Sequence, residues 1–168
     1  LTKLRKQTKD RKLFLAVSTH QGEEKILADL HHKLRLALPN LLTIIIPRHP
    51  ERKNEIINSL KESVATTIRS ENEAITNRTD IYLADTIGEL GLFYQLCDIS
   101  FIGVSLIKRG VHNPYEALRL NNITITGPNY FNFKNIFQNL ITQNITILVN
   151  DEFDLEREVY QLITDKKH

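Results

Sequence analysis

The sequence predicts an α/β fold, a parallel sheet flanked by helices, and three observations carry that reading. From Leu13 onward, short β-rich apolar runs alternate with stretches of helical period, the mark of repeated strand–helix units around a parallel sheet. The run LTIII at 42–46 is apolar and β-branched with one threonine, as strands covered on both faces are. A length of 168 residues with 41% apolar and 25% charged side chains matches one ordinary domain with a sizeable core.

Residues 13–17 form the expected first strand. A helix over 23–38 follows, because Ile26, Leu27, Leu30, Leu34, Ala37 and Leu38 recur at intervals of three and four, with Glu23 and Glu24 in the first turn. Pro39 and Asn40 stop it. The second strand, 42–46, ends at Pro47, and a helix over about 51–61 comes next. Strands at 64–68 and 81–83 flank a polar stretch, 71–79, that has no clear period. Then come a helix at 88–97, a strand at 99–102, a helix at 114–120 opened by proline, and a strand at 123–126. A helix at 133–142, a strand at 145–149 and an amphipathic helix from 152 to about 166 complete the alternation.

Several functions are excluded at this level. No apolar stretch approaches the roughly 20 residues a bilayer-spanning helix needs, and the basic N-terminus lacks the apolar block of a secretory signal; a cytoplasmic location is expected. Cys97 is the only cysteine, so neither an intrachain disulfide nor a cysteine-based zinc cluster can form. Lys3, Arg5, Lys6, Lys9, Arg11 and Lys12 crowd the first twelve residues against Asp10. These residues read as a solvated basic linker, 1–12, ahead of a domain at 13–168. The remainder has a slight acidic excess, which argues against nucleic acid as a partner.

In open parallel sheets, ligands bind outside the carboxyl ends of the strands, so the loops after each strand are where chemistry is sought. After the first strand, 18–24 reads STHQGEE, either a turn presenting backbone N–H groups to an anion or a helix capped by Ser18 or Thr19. After the second, PRHPER at 47–52 restricts Arg48 between prolines, where it could grip a phosphate or simply face solvent. ADTIGEL at 84–90 offers Asp85 or Thr86 as a cap and a glycine at a helix start. The densest loop, GVSLIKRGVHNPYE at 103–116, places Glu116 in the first turn of a helix, where its carboxylate could hold a ribose diol or merely favour the dipole. His20, His49 and His112 lie in different loops without metal-ligand spacing, so no metal site is expected. No phosphate-binding P-loop, dinucleotide fingerprint, zinc-protease helix or nucleophile elbow is present.

Taken in order, STHQGEE, PRHPER, LADTIGELGLFYQLCDISFIG, SLIKRGVHNPYEAL and TGPNYFNF resemble the C-terminal domain of the 3-deoxy-D-manno-octulosonic acid (Kdo) transferases of lipopolysaccharide synthesis. The resemblance runs from about residue 13 to 142. It implies a Rossmann-like domain that is the C-terminal half of a GT-B glycosyltransferase. The complete enzyme would take Kdo from CMP-Kdo to a lipid A precursor with inversion, without a cofactor or metal. By the resemblance, Pro47 and Arg48 contact the CMP phosphate, and Ile87, Gly88 and Glu89 surround the nucleotide. Asn113, Pro114, Tyr115 and Glu116 would hold the ribose, while Ser18, His20, Gly22 and His112 face the sugar and the interdomain cleft. The catalytic base and the acceptor site would belong to an N-terminal domain. The complete enzyme would work at the cytoplasmic side of the bacterial inner membrane, this domain itself being soluble. The family usually has two glycines before the His-Asn pair, where this sequence has Gly110 and Val111. The readings to be weighed against it are another nucleotide-sugar enzyme of this architecture, such as a UDP-sugar transferase or epimerase, and a non-catalytic nucleotide-binding module.

Overall fold

A computed structural model describes residues 1–60 and 64–165. The elements, in chain order, are α1 (Thr2–Gln7), β1 (Lys12–Thr19), α2 (Glu23–Arg35), β2 (Leu41–Pro47), α3 (Lys53–Leu60), β3 (Thr66–Ile68) and β4 (Ile81–Leu83). They continue with α4 (Leu90–Tyr94), β5 (Ile99–Ile102), α5 (Tyr115–Arg119), β6 (Ile123–Thr126), α6 (Lys134–Thr142), β7 (Thr146–Leu148) and α7 (Glu152–Thr164). Short 3-10 turns, Pro50–Arg52 and Phe131–Phe133, precede α3 and α6. The expected ends of two helices at Lys61 and Lys166 lie outside the described residues.

The strands form one seven-stranded sheet in the order β3-β4-β2-β1-β5-β6-β7, every neighbouring pair parallel. Period-two alternation sorts each strand between two apolar layers. Phe14 and Ala16 of β1 pack with Ile45, Phe101 and Ile125 against α2, α3 and α7. Leu15 and Val17 pack with Leu42, Ile44 and Ile102 against residues of α1, α4, α5 and α6. Because β1 has β2 on one side and β5 on the other, the strand order reverses between β1 and β5. Parallel sheets open a crevice at such a point.

Residues 1–12, expected as a solvated basic linker, carry a helix packed on the sheet, with Lys3, Arg5, Lys6 and Lys9 exposed. Leu4 of α1 is 4% exposed within the second apolar layer. The Arg11 guanidinium donates to the carbonyls of Asn40, Leu41, Thr76 and Thr79 at 2.6–2.9 Å, and Lys12 opens β1. Arg5 also donates to the Gln95 carbonyl, and Asn40 donates to the Asp10 carbonyl, so the segment is tied down along its length. The helix expected at 88–97 is also corrected: only Leu90–Tyr94 is helical, since Gly88 has φ +82° and turns the chain before it. Neither Asp85 nor Thr86 caps it. Asp85 accepts instead from the Ser70 backbone and hydroxyl. Likewise α2 starts at Gly22 without a side-chain cap from Ser18 or Thr19. Cys97 is a buried thiol, as read from the sequence. Among the described residues, no helix is long and apolar enough to cross a membrane.

One buried polar contact sets a pH limit. His31 of α2 is fully buried, its Nδ1 2.8 Å from Thr43 Oγ1 and its Nε2 3.6 Å from Asp80 Oδ1. Burial pushes its pKa down to about 4, against the pull of Asp80. The unfolded imidazole takes up a proton near 6.5 while the folded one resists, so this contribution to stability is complete above that pH and is lost as pH falls toward 4. Denaturant titrations across that window should show the loss, and His31→Gln should flatten the slope.

Candidate functional site

The loops after β1, β2, β5 and β6 meet at the switch point and wall a cleft of about 480 Å³. It gathers His20, Arg48, His49, Arg109 and His112 with the backbone of 110–111. The histidines, scattered in sequence, are therefore neighbours: the rings of His20 and His49 stand edge to face with centroids 5.5 Å apart. Among the described residues, no carboxylate lines the cleft. Burial, followed by Arg109, Arg52 and His49, lowers the pKa of His20 against the pull of Glu24; burial and then Arg48, His20 and His49 lower that of His112. Among the described residues, no three histidine, cysteine or carboxylate groups are placed to hold a metal ion.

The cleft's floor is built by backbone constraints at the strand ends. Ser18 takes φ +54°, at a register shift between Val17 and Thr19, and this turns the chain so that Arg48 N–H bonds Thr19 carbonyl at 2.9 Å. Gly103 is required where β5 passes the end of β1, because a Cβ there would lie 2.6 Å from Val17 carbonyl. Glu23 then ties the two loops together. Fully buried, its carboxylate accepts from the N–H groups of Val104 (2.7 Å), Leu106 (3.2 Å) and His20 (3.2 Å). Burial raises its pKa while those three bonds oppose the rise. Its neighbour Glu24 is taken by Arg52 at 3.0 Å and by Thr19.

The residues anticipated from the sequence divide into two groups on this edge. Pro47 is buried at the end of β2, whereas Arg48 projects from it, exposed, and its side chain makes no hydrogen bond or ion pair among the described residues. His20 and His112 line the cleft with Arg48. Ser18 and Gly22 (φ +99°) shape the approach without lining it. The second group lies at α4 and α5. Ile87 is 88% exposed, Gly88 is open to solvent, and Tyr115 stands half exposed. Asn113 accepts from Tyr115 N–H and Pro114 forms the cap of α5. Glu116 is exposed and reaches the place above Gly91 of α4 where a Cβ would meet its Oε1 at 3.4 Å. These residues do not line the cleft of the first group, although both groups sit at the carboxyl ends of the strands.

Glu89 plays a different part from the others. Arg69 grips its carboxylate with two bonds of 2.6 Å, and Thr86 donates to it as well. This pairing holds its pKa down to about 2. The side chain is thus committed to fixing the loop, leaving the backbone of 87–89 for any ligand. Sequence reasoning missed Arg69, Glu23, Arg109 and Asn132. Asn132 brackets Val111, accepting its N–H at 2.9 Å and donating to its carbonyl at 2.7 Å. Gly110 takes the positive φ next to Val111, so the β-branched Val111 sits without strain, its side chain in the core, whereas Val104 earlier in the same loop takes φ +64°.

A Rossmann-like domain with a polar cleft at its switch point is the architecture of GT-B glycosyltransferase domains. The C-terminal domain of the group 1 glycosyl transferase LpcC from Francisella tularensis shares this fold, with a TM-score of 0.63 over 97% of this chain and 83% of that one at 15% identity. No protein-family model matches the chain. The crystallised C-terminal CMP-Kdo binding domain of WaaA from Acinetobacter baumannii superposes with a TM-score of 0.88 at 32% identity, covering 96% of this chain and 86% of that one. The 3-deoxy-D-manno-octulosonic acid transferase of Haemophilus influenzae is 42% identical over 160 residues. That match takes in 94% of this chain but 38% of the relative's length. The chain belongs to the family of the C-terminal domains of 3-deoxy-D-manno-octulosonic acid transferases.

Removing the Glu23 carboxylate leaves three backbone donors of the loops without their acceptor. At roughly 1–3 kcal/mol for each buried group left unsatisfied, less what water recovers, Glu23→Ala should cost about 3 kcal/mol of stability in denaturant titration. Glu23→Gln, which keeps one acceptor oxygen, should cost less.

Proposed function

We propose that this chain is the donor-binding domain of an inverting glycosyltransferase that moves Kdo from CMP-Kdo to a lipid A precursor. The observation that carries the reading is Arg48: a guanidinium free of carboxylates, held by its backbone at the mouth of the switch-point cleft. It is suited to neutralise the single phosphate of a CMP leaving group, which gains charge as the bond to the sugar breaks. Pro47 fixes the approach, and Ile87, Gly88 and the Glu89 backbone offer an exposed apolar and backbone surface to the nucleotide. Glu116, open beside Gly91, accepts from the ribose hydroxyls, with Asn113, Pro114 and Tyr115 shaping its helix start.

In this reading the leaving group is stabilised without a divalent ion. The base that takes the proton of the attacking hydroxyl lies in the acceptor-binding part of the complete enzyme, beyond the span matched here. That enzyme meets its lipid acceptor at the cytoplasmic face of the inner membrane. The isolated domain accordingly binds donor and transfers little.

Calorimetric titration of the chain with CMP, UDP and AMP tests this. CMP should bind selectively, with a chelator present, and Arg48→Ala and Glu116→Gln should each weaken it by about tenfold or more, the worth of a charge-assisted contact. Preference for UDP would point to a different nucleotide-sugar enzyme, and indifference to both substitutions would overturn the assignment of these residues. Robust turnover of CMP-Kdo by the isolated chain would contradict the division of labour.

A further inference from the structure

In the cleft, an N–H group faces each ring nitrogen of His20. Its Nδ1 receives the backbone N–H of Gln21 at 2.9 Å, and its Nε2 faces Arg109 Nη1 at 3.2 Å. Both neighbours are donors. A neutral imidazole has one lone pair for two such neighbours and an imidazolium has none. In one tautomer Nε2 accepts from Arg109 and the exposed Gln21 N–H is left to solvent; in the other Nδ1 accepts from Gln21 and Nε2 carries the ring proton. An anion bound beside the pair selects the second tautomer and takes up the ring N–H and the arginine N–H together.

The surroundings say which kind of acceptor. Arg109 is exposed and has no carboxylate partner among the described residues, His49 and His112 share the same walls, and the cleft is lined by no acid. Glu51 contacts His49 from outside that lining, and Glu24 is held by Arg52. Arg48 reaches the same cleft from the neighbouring loop. Two guanidiniums on opposing loops therefore serve one small space, more cationic capacity than a single phosphodiester requires.

We infer that Arg109 and His20 form a carboxylate subsite that reads the acid group of the donor sugar, while Arg48 takes the phosphate. The inference rests on the donor-domain reading and extends it to the sugar. An octulosonic acid carries its carboxylate on the anomeric carbon, so in the nucleotide-linked donor the two anions leave the same atom and must be met side by side. A planar guanidinium backed by an imidazole N–H suits a carboxylate. Arg109 is then the residue that separates an acidic sugar from a neutral one.

The test compares CMP with CMP-Kdo on the chain itself, by titration calorimetry on the wild type, Arg109→Ala, Arg109→Lys and His20→Ala. Wild type should hold CMP-Kdo at least tenfold more tightly than CMP. In Arg109→Ala that advantage should fall below about threefold while CMP affinity changes by less than threefold; His20→Ala should lose part of it, and Arg109→Lys should restore part. Because Arg109 is exposed, unchanged unfolding temperatures will show that the variants are folded. An advantage that is missing in the wild type, or that survives Arg109→Ala, overturns this inference alone. Failure of the wild type to bind CMP at all overturns the donor reading, and the subsite with it.

Discussion

The buried carboxylate of Glu23 is the interaction on which the site's geometry depends. It joins the loop after β1 to the loop after β5, two segments some eighty residues apart, through N–H groups of His20, Val104 and Leu106. A parallel sheet fixes where strands end but leaves the following loops free. At the switch point these loops diverge to opposite faces, and something must draw them back together. Hydrophobic contact is ill suited to that task at a polar rim, whereas a carboxylate with four lone-pair sites can take several backbone donors at once. The cost is burial, seen in the raised pKa, and three bonds to the charged form offset it.

Three other acids of this edge follow the same pattern. Glu24 is bound by Arg52, Glu89 by Arg69, and Asp85 by Ser70. These three carboxylates are thereby spent on holding loops, whereas Glu51 touches His49 from the solvent side and Glu116 stays exposed. Arg48 and Arg109 are left facing the cleft with no acid lining it. The cleft's positive character thus comes less from an excess of basic residues, since the chain's formal charge is only +2, than from the confinement of acids elsewhere. Net charge would never have revealed it.

Sequence periodicity made the sheet legible because the constraint is local: a strand buried on both faces reads as a short run of apolar and β-branched residues, and β1, β2, β5 and β6 do. Ordered motifs made the family legible as well, since five loops in register are far harder to match by chance than one. What stayed hidden depends on distance. Nothing in the stretch KRG distinguishes Arg109 from Lys108 until the fold sets one of them against His20. The packing of the first twelve residues stayed hidden for a similar reason, because charge density says nothing about four carbonyls at the sheet's amino edge that accept from Arg11. The helix at 88–97 shrank because a glycine that reads as a tolerated helix residue is in fact used at φ +82°.

Val111 shows how such a loop can change sequence and keep its shape. A glycine is needed only where φ is positive or a neighbour comes too close, and here Gly110 meets both conditions: φ is +90° and a Cβ would lie 2.7 Å from Asn132. The next position has ordinary backbone angles, its N–H and carbonyl are both satisfied by Asn132, and its side chain points into the apolar layer behind the cleft. A β-branched residue there removes conformational freedom from the unfolded chain and adds buried surface. The loop that carries Arg109 and His112 is therefore held from behind by packing and from the side by an amide. That arrangement keeps Arg109 and His112 in place on the cleft wall.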